Sequence, residues 1–593
     1  MTFLLLLLSG GNAASQTDPT RNAKWSGSLE LVSGFGAFIQ RETEEQDGDT
    51  LTHFREQLNL QLTRTAPKLS VSTQVQGRFE KNATLTRRTT AREEKQVELS
   101  ARGSKILQPG TNLRTDLTWR PSPRHQYAAF LAYQYGYDKS DNTTASSMLD
   151  TALNFSIDAV QEVRKLHQHG ATAGWRSNHE LGSARRQIMT SGQWRGTFRT
   201  QESEWTKARF FVIDSTQEGG SDYLIYRLTP RNFTHDGTVT ASFRDSLWNG
   251  THRLLLEPGI RARIVETREY NSGAFTEDGI NWRDSTRLRE NFDFVTLQFE
   301  PSLRLEYRYK SLLASADYSL QVYGRQLTSQ LHSQELEWLP VLVNGRSFVE
   351  WMPGTSHRLT LGTTLSVSRP SYIQTCWYDR QGADPTQLIQ GNPQLLPTRT
   401  VSTDFSWQWR LGRFRLTTGT TYAFRLHEVE QYFREQVIEG TNYTVFSWIN
   451  TASGYTFIQN VQLGWNGPFI SSSLLVNYEH RQQKAQTAQT ESKSNNWVLV
   501  ADITARLGKG WTFSADGSYR GDIETLYSLT KKYYTVNSRI TKEFKNITLY
   551  LEGRDLLDMP VVTEFLSQDQ SVRWIEESHL NRRIFLLGFF WKF

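Results

Sequence analysis

The sequence predicts an all-β fold: a transmembrane antiparallel β-barrel, 22 strands in all, with short periplasmic turns and long extracellular loops. Three observations predict it. The composition is polar yet aromatic-rich, apolar residues alternate with polar ones over runs long enough to cross a bilayer, and short turn signals alternate with long polar segments.

Composition comes first. At ~150 residues per domain, the 593 residues would divide into several soluble domains, but only 37% are hydrophobic while 18 Trp, 23 Tyr and 31 Phe are present. The mean hydropathy of −0.56 is that of a polar chain. No run of ~18 apolar residues occurs, so a helical membrane protein is excluded. One Cys excludes a disulfide-built scaffold and a Cys-based zinc site. The 67 basic and 61 acidic residues are mixed along the chain, which leaves no nucleic-acid footprint. A barrel with a wet lumen and an apolar outer face averages to this mixture.

The amino terminus reads as a targeting segment. Phe3 to Leu8 form an apolar core, and Gly10-Gly11-Asn12-Ala13-Ala14-Ser15 supply a small-residue cleavage region before Gln16. The expected division is a signal peptide over 1–15, a short periplasmic segment over 16–23 and the barrel over 24–593. No Lys or Arg precedes Arg21, so either the α-amino group serves as the basic region alone or Met1 is not the natural start.

The strands follow from period-two alternation. Leu69, Val71, Thr73, Val75, Gly77 and Phe79 share one face, with Ser70, Ser72, Gln74, Gln76 and Arg78 on the other. Leu312 to Val322 repeats this, with Ser315, Asp317, Ser319 and Gln321 on the polar face. In the run from Val401, the residues Phe405, Trp407 and Trp409 oppose Asp404, Gln408 and Arg410. Trp497, Leu499, Ala501, Ile503, Ala505 and Leu507 alternate with Asp502, Thr504 and Arg506. Runs of ~9–12 residues suffice for a tilted strand to cross a bilayer. The polar face cannot meet lipid, so it lines a lumen.

Ten short turns alternating with eleven longer loops give the 22 strands, a count that also rests on the resemblance described below. Gly, Pro and Asn mark ten short turns, near Pro67, Ser122, Leu181, Gly250, Lys310, Gly354, Gly412, Gly467, Lys509 and Asn546. Long polar segments at 139–163, 201–234, 269–288, 373–395 and 556–578 read as loops of the opposite rim. The last strand carries Phe585, Leu587, Phe589, Trp591 and Phe593 on one face. A terminal aromatic strand of this kind resembles the end of bacterial outer-membrane proteins. That resemblance implies that Phe589, Trp591 and Phe593 are the signal read by the barrel assembly machinery.

Residues 365–397 carry a second resemblance. Ser368, Arg369, Pro370, Ser371 and Tyr372 are followed, after a loop, by Gly391, Asn392, Pro393, Leu395 and Pro397. This stretch resembles the barrel of TonB-dependent outer-membrane receptors in the form common in Bacteroidota. Trp448-Ile449-Asn450 and Ile547–Asp558 resemble later strands of that family, the second its penultimate strand. The resemblance implies a receptor that binds a nutrient and moves it through its lumen. Two departures stand out. Thr375-Cys376-Trp377-Tyr378 and Thr398 replace residues usual in the family. The family's plug domain is also not seen before Lys24, which already reads as the first barrel strand, and Thr17–Ala23 shows no TonB-contacting box. A separate plug, inward-folded loops, a bound partner or a truncated gene start are the alternatives.

Other candidates weigh less. His167 and His169 share a strand face and read as polar lumen residues, since no third metal ligand accompanies them. His427-Glu428 reads the same way. Cys376 reads as a small loop residue. Arg185-Arg186 and Arg582-Arg583 read as rim or lumen charge, with anionic ligands or lipopolysaccharide as the alternative. No catalytic constellation, cofactor motif or metal motif is legible, so an enzyme is not expected. Outer-membrane lipid, an unidentified ligand and either a plug or a periplasmic partner are the expected partners. A non-transporting scaffold barrel is the alternative function.

Overall fold

The computed structural model describes residues 24–592 apart from 39–50, 93–95, 150–154, 182–184, 213–219, 248–250, 271, 277–282, 285–290, 330–332, 376–378, 382–386, 439–440, 486–490, 526, 568–571 and 579–582. Residues 1–15 and 16–23, Cys376, Arg582 and Phe593 therefore lie outside the described residues. Twenty-two antiparallel strands form a closed ring. The first, Lys24–Phe38, pairs with Leu51–Thr65 on one side and with the last, Ile584–Lys592, on the other. Closure pairs the edges that an open sheet would expose. Ile547–Arg554 is the penultimate ring strand, as its resemblance implied.

All ten expected turns join successive ring strands, although Gly182, Asn249 and Gly250 lie outside the described residues. The turn at Gly508-Lys509-Gly510 shows the chemistry they need. All three residues have positive φ, at 85°, 50° and 79°. A side chain on Gly510 would also run into the backbone of Glu543.

Alternation places the faces as expected. Val401, Phe405, Leu499 and Ile503 are exposed on the outer wall. Asp404 and Asp502 point inward, where they accept hydrogen bonds from Thr421 and Ser473. Two aromatic belts bound the apolar band. Towards the short turns lie Trp119 stacked on Tyr127, His252 on Tyr309, and His357 on Trp407. Towards the loops lie Tyr135 and Tyr137 against His169 and His167, then Phe198 against Phe233. Amphipathic rings collect at the two interfaces because one edge can be wet while the body stays apolar.

This corrects the reading of His167 and His169. They are not lumen residues. They share the outer face with Trp175, and Nδ1 of His169 lies 2.9 Å from the Tyr133 hydroxyl.

The long polar segments are also corrected. His125–Leu149 and Phe155–Glu180 remain paired strands through most of 139–163. Leu69–Arg92, Gln96–Ser122 and Arg186–Val212 are equally tall, at 24, 27 and 27 residues. A bilayer needs only ~9–11. The excess stands above the membrane as a β-wall. Within 556–578, Val572–Ser578 extends it by pairing with the upper part of Leu69–Arg92, and Val561–Leu566 pairs in turn with Val572–Ser578. Gly220–Leu228 and Gly273–Thr276 extend its other edge. The segment 373–395 contains one helical turn, Tyr372–Thr375, and two short strands, Asp379–Gln381 and Gln387–Gln390.

Candidate functional site

The lumen wall is built from the inward half of each alternation, and its charged side chains pair across strands. Arg244 meets Glu257 at 2.8 Å, Arg263 meets Asp236 at 2.8 Å, and Arg325 meets Glu337 at 2.8 Å. Within single strands, residues two apart face the same way, so Arg304 reaches Glu306 at 3.1 Å and Arg78 reaches Glu80. Arg78, Asp317 and Arg506 all lie on the lumen side as expected. Asp317 stands opposite both Arg304 and Arg346, and Arg506 donates to the carbonyl of Pro468 near the short-turn rim.

The motif residues assemble the mouth. Ser368 ends the strand His357–Ser368, and Pro370 and Ser371 lead into the helical turn from Tyr372. Arg369 donates to the Pro340 carbonyl at 2.8 Å and lies over the Tyr323 ring. Gly391 and Pro393 flank Asn392. The Asn392 amide donates to the carbonyl of Trp448 at 3.0 Å, while its side-chain oxygen accepts from the Gln394 N–H. Leu395 is buried, and Pro397 precedes the strand Thr398–Leu411. Asn450 completes the clamp. Its oxygen accepts from the Leu396 N–H at 2.7 Å, and its amide donates to the carbonyls of Leu396 and His427. The two stretches singled out in sequence, 391–397 and 448–450, thus hold each other. Their roles here are structural, a loop pinned onto the tall strand Thr441–Asn466.

Beside the clamp sits a polar cluster with no sequence signature. The hairpin strand Val429–Ile438 folds back on Thr441–Asn466. It brings Glu428 and Glu430 to Arg481, at 3.0 and 3.3 Å. The Gln483 amide donates to both carboxylates, at 2.9 and 2.7 Å. Burial pushes the Glu430 carboxyl up. Gln483 and Arg481 oppose that rise, and neighbouring Glu428 adds to it. Glu428 thus belongs to this network. Among the described residues, no group of three metal-ligating side chains gathers. Only the i, i+2 spacing of Glu428 with Glu430 and of Arg481 with Gln483 could have signalled the cluster.

The remaining candidates are placed as follows. Arg186 pairs with Asp245 at 3.3 Å near the short-turn rim, and Arg583 is exposed just before the last strand. Phe589 and Trp591 stand opposite Leu31 and Leu29 of the first strand. Trp591 is exposed on the outer wall.

Residues 336–591 match the family model described as Outer membrane protein beta-barrel family. A search of curated proteins finds no match. Among solved structures, the Copper transporter OprC aligns with a TM-score of 0.61 at 10% identity, covering 98% of this chain and 82% of that one. The Ferric-Catecholate import receptor Fiu from K12 E. coli aligns at 0.61 and 11% identity, covering 96% and 82%. The ferric citrate transporter FecA, in its unliganded form, aligns at 0.59 and 11% identity, covering 96% and 78%. Identities this low speak to the shared fold. The chain is a closed 22-stranded barrel, and it resides in the outer membrane.

Proposed function

We propose that this barrel is the transport unit of a TonB-dependent-type receptor, which captures a nutrient at its extracellular mouth and passes it through the lumen. One observation carries the reading. A wall of tall strands and pinned loops stands above a wide, ion-paired lumen, on a fold shared with a copper transporter, a ferric-catecholate import receptor and a ferric citrate transporter. The resemblance of 365–397 to the Bacteroidota form of the family supports it. The clamp made by Asn392 and Asn450 suits a mouth that must keep its shape while loops select a ligand. No catalytic role is proposed for any residue.

A ring of 22 strands encloses an aqueous path, and an open path that wide would make the membrane leak. We infer that a plug, a partner or inward-folded segments close it. Planar-bilayer recording of the purified chain tests this. A large, weakly selective conductance is expected when nothing fills the lumen, and adding the closing component should silence it. A silent chain with no partner bound and no segment inside the lumen would falsify the open-lumen reading. A scaffold barrel would instead co-purify with a partner and show no solute uptake.

Assembly is read from the last strand. Phe593, together with Phe589 and Trp591, is proposed to be the signal for the assembly machinery. Deleting Phe593 should lower the yield of heat-modifiable protein in the outer membrane, and unchanged yield would count against that role.

A further inference from the structure

The lumen is not evenly charged. A recess of about 620 Å³ opens on the inner wall formed by Gln96–Ser122, His125–Leu149, Phe155–Glu180, Arg186–Val212, Arg231–Ser246 and His252–Tyr270. Arg114, Arg176, Arg195, Arg261 and Arg263 line it, against only Asp116 and Asp236. Both carboxylates are already engaged. Asp116 accepts two hydrogen bonds from Arg114, each at 2.8 Å. Asp236 accepts two from Arg263, at 2.9 and 2.8 Å. Arg261 makes a single long contact, 3.4 Å to Glu300. Arg176 and Arg195 are exposed, and among the described residues neither has an ion-pair partner.

Register shows how these cations share a space. Arg176, Ser191, Thr240 and Arg261 stand side by side on four neighbouring strands. Arg195 lies on the next strand from Arg176, four residues beyond the position opposite it. At about 3.3 Å per residue that is about 13 Å along the wall. With their backbones so spaced, the two side chains can each meet one of two separated anionic groups on a single solute. An aromatic ring floors part of the recess. The Phe130 ring lies across Gly174, where a Cβ would overlap it, and the Arg114 guanidinium sits 4.8 Å above that ring.

The opposite wall carries both signs. The strand Glu491–Gly508 lies halfway round the ring from Arg186–Val212. On it and the next strand, Asp502 and Asp516 are held by the neutral donors Ser473 and Asn537, with Arg506 on the same face. Low-dielectric lipid behind both walls confines the field to the lumen. An anion is drawn to the wall where arginines outnumber carboxylates.

We propose that this recess binds a small soluble polyanion carrying two or more carboxylate or phosphate groups. Arg176 and Arg195 supply the open guanidinium forks, since a planar fork matches either group with two parallel hydrogen bonds. The proposal rests on reading the lumen as a solute path, and it names the class of solute.

Isothermal titration of the purified full-length barrel in detergent at low salt tests it, with inorganic pyrophosphate and tricarballylate as probes. Saturable binding of at least one probe is expected, weakening as salt is raised. The double variant Arg176→Gln with Arg195→Gln should weaken it about tenfold or more. Either single variant should weaken it severalfold, and Arg410→Gln, away from the recess, should not change it. Heat-modifiable mobility verifies that each variant is folded, and the single variants serve if the double variant is not. Binding of neither probe, or unchanged affinity in the folded variants, overturns the proposal. The test needs no transport. Binding without solute uptake would therefore count against the path alone, and uptake without anion binding against the recess alone.

Discussion

Glu30 shows how one side chain can close a barrel. It accepts from Asn59 on the second strand at 2.7 Å and from the Tyr550 hydroxyl on the penultimate strand at 3.3 Å. Tyr550 reaches it by crossing the last strand at Gly588, whose missing side chain leaves the channel for the ring. Gly588→Val should therefore displace Tyr550 and destabilise the seam by about 1–3 kcal/mol, the usual cost of overpacking. The melting temperature of heat-modifiable protein should fall, and adding Tyr550→Ala should recover part of the loss. A Gly588→Val barrel as stable as the parent would refute the steric account. Nothing in the local sequence marks Gly588, because the residue it accommodates arrives from another strand and serves a third.

At the scale of elements, the hairpin Val429–Ile438 carries a pH dependence. Burial raises the Glu430 carboxyl. A carboxyl raised on folding contributes stability at low pH, and that contribution is lost as pH climbs through its raised value. Hydrogen-exchange protection of 429–450 should therefore fall as pH rises from acid towards neutral. Glu430→Gln, which cannot ionise, should flatten that dependence. Protection that rises across the same window would show that the Arg481 pair outweighs burial.

Legibility also divides by element. Strands inside the membrane were readable because lipid on one side and water on the other impose period two. Above the membrane both faces are wet, so 139–163 lost its alternation while keeping its backbone pairing. His167 and His169 were misplaced for a related reason. An interfacial belt accepts polar rings on the outer face, which sequence pattern alone assigns to the lumen. The pairing of 391–397 with 448–450 was suggested only as two separate resemblances. Their contact spans more than 50 residues of chain, with |i−j| = 56 for Asn392 and Trp448.

The molecule as a whole presents an apolar band between two aromatic belts and a polar interior, and this contrast is testable. Leu499 is a mid-strand outer residue, whereas Asp502 faces the lumen. Leu499→Arg should cost about 2–4 kcal/mol in bilayer refolding, since the charge would enter hydrocarbon, and Asp502→Arg should cost little. Equal costs at the two sites would contradict the membrane placement.

The sequence by itself determined the class, the faces of the strands whose alternation is clear, and the ten tight turns. Each of these is a local consequence of period, turn chemistry or chain length between punctuations. Only the tertiary structure decided which side chains meet: the Glu30 seam, the Asn392 and Asn450 clamp, the Glu430 cluster and the arginine recess. Those depend on register and closure. A strand's sequence says which way a side chain points, but the ring alone sets what stands beside it and what stands opposite.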